Sequence, residues 1–541
     1  MALSLTAWII VSFFIVTTGQ EQHLQSHFLP YNALVVLPQK GSINNKFDLT
    51  IPKVMPVIDI AVEDVIKQGI MPNNWINLTY HDSRFWEDEH LAERWATNGV
   101  IQAYCEHRLD SIFGFADPYS LKTVAQISAG FGNGIPIFTT IGYEEAFLDK
   151  NLFPFVTRMQ GSYHQMAEKI LLMMLHLSNE IESLKMNLNF KRLSFVYHDK
   201  INGLRRIQTE DRSTARKSQC YSTLMNIIQF FKHNTKWKHW FPIHPRIQEI
   251  PFDEDIPRSK SDIEKWLKSL SCSADVIILC ASPDTVRDIM LSAHDLGMAT
   301  SGKSIFINID LSTGSHVEKP WIRGNEVNSP ENEKAKEAYK ALKTVSLKRS
   351  DSNEFKNLET RIKERAEKKY NYSQKNGKEY EMNNFALGFY DAVLLYAIGL
   401  NKTLGAGLDP RNAKNITSKI WNRTFVGVTG NVIIGQNGDR NLDYSVSDLD
   451  PIQDKFVDVV YYSTAQNVIQ QITNYHWIKE NSTIALKLPA CGWDMLNIAF
   501  LCGLIFHLGI LAVACIVDEI RRRKKNRIVA LEKSSEKNRL V

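Results

Sequence analysis

The sequence of 541 residues carries little net charge and few prolines, and it contains no internal repeat or low-complexity stretch. Its formal charge is +5 at pH 7, and 18 of its residues are proline. Nucleic-acid-binding chains have strongly basic faces, so this balance gives no indication of such a partner. Because 44% of the residues are hydrophobic and 23% are charged, the composition predicts ordinary globular material, enough for two domains with full cores.

Most catalytic motifs are also missing: there is no zinc-protease helix with paired histidines, no nucleophile elbow and no closely spaced cysteine pair. One string, GMATSGKS at 297–304, matches the phosphate-binding P-loop. That loop must follow a strand and open a helix. Here the pattern predicts a helix at 283–296 before the string and a strand at 304–309 after it, so we interpret it as a chance match. We expect no enzyme, the alternative being an active site assembled from distant segments.

Between residue 32 and about residue 470, short β-rich runs alternate with amphipathic stretches of helical length. This alternation is typical of parallel sheets crossed over by helices, so we expect a doubly wound α/β fold in two lobes. The predicted strands are 33–37, 75–80, 111–115, 136–140, 193–197, 276–280 and 304–309. The predicted helices are 57–68, 90–104, 120–129, 163–177, 222–232, 283–296, 331–342 and 383–400. A hairpin of 429–434 and 441–446 and a strand at 456–462 are expected to close the second lobe.

The sequence has one long apolar run, 495–517, which is followed by a basic cluster from Arg521. A run of this length predicts a single transmembrane helix, and the cluster places the tail 518–541 inside the cell. The apolar start, followed by small and polar residues, predicts a signal peptide at 1–19. We therefore expect a single-pass type I protein of the cell membrane with 20–490 outside. Six glycosylation sequons precede the run, at Asn77, Asn371, Asn401, Asn415, Asn422 and Asn481.

Long stretches of the chain resemble the natriuretic peptide receptor family. They are VIILCASPDTVRDIMLSAHDLGM from 276, FALGFYDAVLLYAIGL from 385, WNRTFVGVTG from 421 and NGDRNLDYSV from 437, with weaker similarity at RMQGSYHQMAE from 158. The resemblance implies a two-lobed, type I periplasmic-binding-protein-like ectodomain of doubly wound parallel sheets. It also implies a dimeric receptor for a peptide hormone, without a resident cofactor.

The short basic tail is similar to that of the clearance-type members of this family. The resemblance implies a receptor that lacks kinase-like and guanylate cyclase domains, clears its ligand and is linked to inhibitory G proteins through Arg523, Lys524, Lys525 and Arg527. The alternative is that the same basic residues are only a stop-transfer anchor, which the positive-inside rule alone explains and which we favour for these residues. The rival hypothesis is a decoy or partner subunit of a receptor guanylate cyclase.

The resemblance also assigns cysteines. Cys220 and Cys280 match a disulfide of the family, and Cys491, just before the apolar run, resembles a cysteine that links two chains. Cys105 and Cys272 are left over, and whether they pair is open.

Family positions that contact the peptide are largely aromatic, and they fall at or near Tyr119, Phe153, Tyr197, Tyr221 and Phe252. Each of these rings is equally plausible as a core residue at the end of a strand. The family also holds a buried chloride, here near Ser83 and the backbone amides of Ala116 and Asp117. Because a carboxylate at Asp117 would repel an anion, the sequence argues against chloride dependence.

Overall fold

The computed structural model describes residues 30–42, 47–88, 91–184, 192–199, 218–233, 247–310, 318–324, 329–350, 352–427, 430–478 and 495–537. The chain divides into two units, Met1–Lys487 and Leu488–Val541. The first unit contains two lobes, each built on a sheet with helices packed against it. In the second unit the described residues form one helix.

The first lobe has a parallel sheet in the order β2-β1-β3-β4-β5. The strand YNALVVL, which lies between β2 and β3, is almost wholly buried, as expected for a parallel strand that has helices on both faces. The elements are β1 (Tyr31–Leu37), α1 (Ile51–Lys67), β2 (Ile76–Asp82), α2 (Ala92–Cys105), β3 (Ser111–Gly114), α3 (Pro118–Ala129), β4 (Ile137–Thr139) and β5 (Val156–Arg158).

The second lobe repeats this order in the parallel part of its sheet, β7-β6-β8-β9-β10. Its first helix begins with a capping box, in which Ser162 and Gln165 satisfy each other's backbone amides. The elements are α4 (Tyr163–Ser183), β6 (Leu193–His198), α5 (Gln219–His233), β7 (Gln248–Phe252), α6 (Lys260–Leu270), β8 (Val276–Cys280), α7 (Pro283–Asp295), β9 (Ile305–Asp310), α8 (Pro330–Tyr339) and β10 (Leu342–Leu347).

The chain then returns to the first lobe and crosses to the second again. The returning elements are α9 (Asn353–Tyr370), α10 (Tyr372–Asn376), α11 (Asn384–Gly405), α12 (Ala413–Ile420), β11 (Arg423–Gly427), β12 (Gly430–Ile434) and β13 (Arg440–Asn441). The strands β14 (Tyr444–Asp450), β15 (Lys455–Ser463) and β16 (Val468–Gln471) extend the second sheet antiparallel from β10. The lobes are thus joined at three crossovers, between β5 and α4, between β10 and α9, and between β13 and β14.

The doubly wound fold in two lobes is confirmed, and β8 coincides with the strand predicted at 276–280. The hairpin prediction is wrong in its second arm, because the chain changes lobes at Leu442 and Asp443, so β13 and β14 belong to different sheets. The pattern also does not predict β5, β7 and β10. β5 has three residues, β7 contains Pro251, which an edge strand tolerates, and β10 follows directly on a helical pattern.

The GMATSGKS string lies in the context expected for a chance match. It follows α7, and Gly297 has a φ of 79°, the left-handed conformation that ends a helix. The strand β9 then begins at Ile305. The order is helix, loop, strand, the reverse of a phosphate-binding loop.

A buried ion pair fastens the end of β5 to the turn between β12 and β13. Arg158 is fully buried and donates from Nε and Nη2 to the two carboxylate oxygens of Asp439, at 2.6 Å each. Its Nη1 donates to the carbonyl oxygens of Gly142 and Glu144, at 2.6 and 2.9 Å. A backbone hydrogen bond adds to this contact, because the amide of Arg158 donates to the Gly438 carbonyl at 2.9 Å.

We expect Arg158→Met to lower the free energy of unfolding by about 3–5 kcal/mol, because it leaves the buried Asp439 charge without a partner. Chemical denaturation of the full chain measures the change. Arg108→Met is the matched control, because the pair of Arg108 and Glu106 is exposed and its loss should have no measurable effect. Equal midpoints for the two variants would contradict a structural role for the Arg158 pair.

Candidate functional site

The carboxyl edge of the second sheet is the candidate ligand site. The strands β7, β6 and β8 lie side by side and end at Phe252, His198 and Cys280. The order of the chain reverses between β6 and β8, and ligands of open α/β sheets bind outside the carboxyl ends of strands at such a reversal. The position of this edge therefore follows from topology alone.

Three of the predicted ligand-contact residues come together at this edge. Tyr197 and Phe252 lie at the ends of β6 and β7, and Tyr221 lies in the first turn of α5, with its ring 6.5 Å from that of Tyr197. Tyr197 is 1% exposed and Phe252 is 4% exposed, whereas Tyr221 is half-buried. Of the three, only Tyr221 offers surface to a partner, and the buried Tyr197 ring lies beside it.

The predicted disulfide of Cys220 and Cys280 is present at the same edge. It ties the start of α5 to the end of β8 across 60 residues of sequence, and closing a loop of that length stabilises a fold by about 4 kcal/mol. The structure also shows whether Cys105 and Cys272 pair with each other. Cys105 is free and exposed, and Cys272 is disulfide-bonded. These two therefore do not pair with each other.

Carboxylates lie at the same edge as these aromatic residues, and the sequence pattern did not mark them. Glu249 accepts the Tyr197 hydroxyl at 3.0 Å. Burial, and then this carboxylate, raise the pKa of Tyr197 well above its ordinary value, so the hydroxyl stays protonated and donates. The loop after β7 adds Asp253 and Asp255, which have exposed surface. The described part of this edge thus presents the half-buried Tyr221 ring and, on the loop after β7, the carboxylates of Asp253 and Asp255.

Backbone and side-chain hydrogen bonds fix the shape of this loop. The Glu254 amide donates to Nδ1 of His198 at 3.1 Å, and the Glu254 carboxylate accepts the Ser282 amide at 2.6 Å. Arg258 donates to the Asp253 carbonyl and lies over the Phe252 ring, 4.7 Å from its centroid. The loop is therefore held against the ends of β6, β7 and β8.

The two other predicted contacts lie in the first lobe. Tyr119 is 43% exposed in the first turn of α3. Phe153 is fully buried, with its ring 4.8 Å from that of Phe147. Phe153 is thus a core residue in this structure, and Tyr119 is accessible.

The structure allows a test of whether an anion fits beside Asp117. The Asp117 carboxylate is buried and caps α3, accepting the amides of Tyr119 and Ser120 at 3.0 and 2.9 Å and the Ser120 hydroxyl at 2.6 Å. Ser83 has a buried hydroxyl without a hydrogen-bond partner in the described structure, which would suit an anion.

The Asp117 charge outweighs the Ser83 hydroxyl. Two like charges about 4 Å apart repel by about 4 kcal/mol near a protein surface, whereas one hydrogen bond contributes about 1 kcal/mol. Glu144 already responds to this charge: burial raises its pKa, and Asp117 raises it further. The residues present therefore do not fit a bound chloride, and the carboxylate of the chain itself binds the helix amides.

The sequons and the carboxyl-terminal predictions are only partly described. Asn77, Asn371, Asn401 and Asn422 are exposed and Asn415 is half-buried, while Asn481 and Cys491 lie outside the described residues. The predicted tail residues Arg523, Lys524, Lys525 and Arg527 lie exposed on α13 (Met495–Lys537).

Among the described residues, no helix is both long and apolar enough to cross a bilayer, so the span predicted at 495–517 is not confirmed. Within the same residues, no group of histidines, cysteines and carboxylates could hold a metal ion.

Comparison with known proteins gives consistent relatives. The family described as receptor family ligand binding region matches residues 245–452. The chain is 54% identical over 471 residues to the receptor-type guanylate cyclase gcy-28 of Caenorhabditis elegans, covering 86% of this chain and 36% of that one. It is 30% identical over 420 residues to the atrial natriuretic peptide receptor 3 of Homo sapiens, covering 76% and 67%. The chain thus spans about a third of the cyclase and two thirds of the receptor.

We expect the stability of the full chain to be the same in chloride and in gluconate at equal ionic strength. Asp117→Ala should lower the free energy of unfolding by about 1 kcal/mol through loss of the cap, and it should make stability depend on chloride because the amides are released. Asp117→Asn keeps a capping oxygen and is the control. Thermal unfolding in the two salts measures both effects, and loss of wild-type stability in gluconate would contradict the interpretation.

Proposed function

Since this chain belongs to the natriuretic peptide receptor family, we propose that it is a single-pass cell-surface receptor that binds a basic peptide hormone through the carboxyl edge of its second lobe. The observation that carries the proposal is that this edge presents the half-buried Tyr221 ring together with the exposed surface of Asp253 and Asp255. Buried aromatic anchors provide most of the affinity of such interfaces, and complementary charge provides the rate of association.

The rest of the proposal concerns what the receptor does after it has bound its ligand. We infer a homodimer, with Cys491 as the link between chains, a transmembrane helix at 495–517 and glycans on the predicted sequons. The chain acts without enzymatic activity, by clearing its ligand and by coupling to an inhibitory G protein through the basic tail. The similarity to atrial natriuretic peptide receptor 3 supports this output, since that receptor is matched over two thirds of its length.

Binding of a labelled, disulfide-closed peptide of the natriuretic type to the full-length receptor on cells tests the ligand. Tyr221→Ala should weaken binding at least about tenfold, because it removes the accessible ring, and added salt should weaken it further. Tyr104→Ala is the matched control: Tyr104 is also half-buried, but it stacks on Phe131 in the first lobe.

Two results would contradict this proposal. If Tyr221→Ala and Asp253→Asn both bind as the wild type does, the peptide binds elsewhere on the receptor. If no peptide of this type binds, the ligand belongs to another class. Sedimentation of the complex adds the stoichiometry, for which two chains per peptide are expected.

A second candidate function is that of a partner subunit for a receptor guanylate cyclase. The specific observation in its favour is the 54% identity to gcy-28, which extends over 86% of this chain. Surfaces that join two cyclase chains would then also be present here, and a mixed dimer would place one cyclase domain without its pair.

Co-expression of the full chain with that cyclase tests the second candidate. We expect the two chains to co-precipitate and the cyclase output to fall as the amount of this chain rises. A cyclase that excludes this chain, while this chain still forms homodimers, would eliminate the candidate.

A further inference from the structure

A cavity of about 260 Å³ lies where the two lobes meet. Its wall includes Gln160 from the first crossover, residues 347–350 from the second and residues 440–443 from the third. The crossovers are bonded to each other around it, since the Lys348 amide donates to the Asp443 carbonyl at 2.9 Å. A molecule in this cavity would therefore contact every connection between the lobes.

One buried hydrogen-bond acceptor in this wall has no donor among the described residues. Gln160 is 4% exposed, and its Nε2 donates to the Asn384 carbonyl at 2.8 Å. This bond fixes the orientation of the amide, because a flipped amide would place oxygen against oxygen. The Gln160 Oε1 has no hydrogen-bond partner in the described structure. A buried acceptor without a partner costs free energy unless a ligand or water donates to it.

Among the charged side chains of the wall, one cation and one anion have no partner of opposite charge in the described structure. Arg440 pairs with Asp391 at 3.0 Å and Arg349 pairs with Glu359, so these two arginines are neutralised within the fold. Lys348 forms no ion pair with a described carboxylate, and its ammonium lies 3.2 Å from the centroid of the Tyr461 ring. Asp443 accepts the Thr464 amide at 2.7 Å and has no cationic partner in the described structure.

We propose that this hinge cavity binds a small zwitterionic amino acid, with its carboxylate toward Lys348 and its ammonium donating to the Gln160 Oε1 and the Asp443 carboxylate. The ligand offers one negative group, one positive group and several N–H donors, which match what the wall leaves unused. Because the three crossovers move with the angle between the lobes, the bound amino acid stabilises one angle over others. The cavity and the proposed peptide edge share no lining residue among those that the structure describes.

Thermal unfolding and calorimetric titration of the full-length receptor in detergent test the site with glycine, serine and glutamine. At least one of these is expected to raise the unfolding temperature. Lactate lacks the ammonium and ethanolamine lacks the carboxylate, so each should bind about tenfold more weakly or worse, because a desolvated charge in the wall stays unpaired. No peptide is needed, so failure here is distinct from failure of the peptide proposal.

Variants complete the test. Gln160→Met and Lys348→Met should each weaken the amino acid about tenfold, while Gln374→Met and Lys375→Met, which alter exposed positions on α10, serve as matched controls. The unfolding temperature of each ligand-free variant shows whether it folds. The proposal is overturned if none of the three amino acids binds, if the charge-deleted probes bind equally well, or if a folded Gln160→Met variant binds as the wild type does.

Discussion

The positions at which the chain leaves the first lobe for the first and third crossovers are fixed to each other by one buried guanidinium. Arg158 has no exposed surface, so every one of its donors must be used inside the fold, and Asp439, Gly142 and Glu144 accept them. The turn that presents Asp439 contains Gly438 at a φ of 72°, where a Cβ would lie 2.5 Å from the Trp421 ring. A side chain at that position would push the carboxylate away from the arginine.

Because Arg158 ends β5, this ion pair also sets where the first crossover begins. Gln160 follows two residues later, and the capping box of α4 follows at Ser162. Gln165, from the same box, donates to the Asn441 side chain at 2.7 Å and so links the first crossover to the third. The first and third crossovers are thus joined by hydrogen bonds, and the buried Arg158 pair holds the elements from which both begin.

A second buried ion pair, in the second lobe, holds another segment of the chain in place. Lys343 donates to Asp448 at 2.7 Å and to the carbonyl of His476 at 3.0 Å, and the His476 amide donates to Asp448 at 2.7 Å. The segment that leaves the sheet after β16 is therefore held to β10 and β14. Any change of angle at the hinge moves this segment with the second lobe, because a buried ion pair is costly to break.

The fold class and most strands could be predicted from the sequence, because a short apolar run such as 276–280 indicates a buried parallel strand whatever its position in the chain. The sequence is not sufficient for contacts between distant positions. Arg158 lies in a stretch that resembles the family, yet its partner is 281 residues away and no local pattern marks it. Similarly, an aromatic residue near the junction of two elements has the same sequence signal whether it is buried, as Phe153 is, or accessible, as Tyr119 is.

The carboxyl edge of the second sheet and the hinge cavity are separate sites that share the second lobe. The affinity of one site for its ligand can therefore be linked to occupation of the other. If occupation of the hinge favours one angle between the lobes, and the edge binds its partner better at that angle, each ligand strengthens the other by the same factor. Such coupling is typically about 1–3 kcal/mol. The coupling has a route in the structure, because β6 and β8 at the edge lie in the same sheet as β10 and β14, whose ends lead into the second and third crossovers.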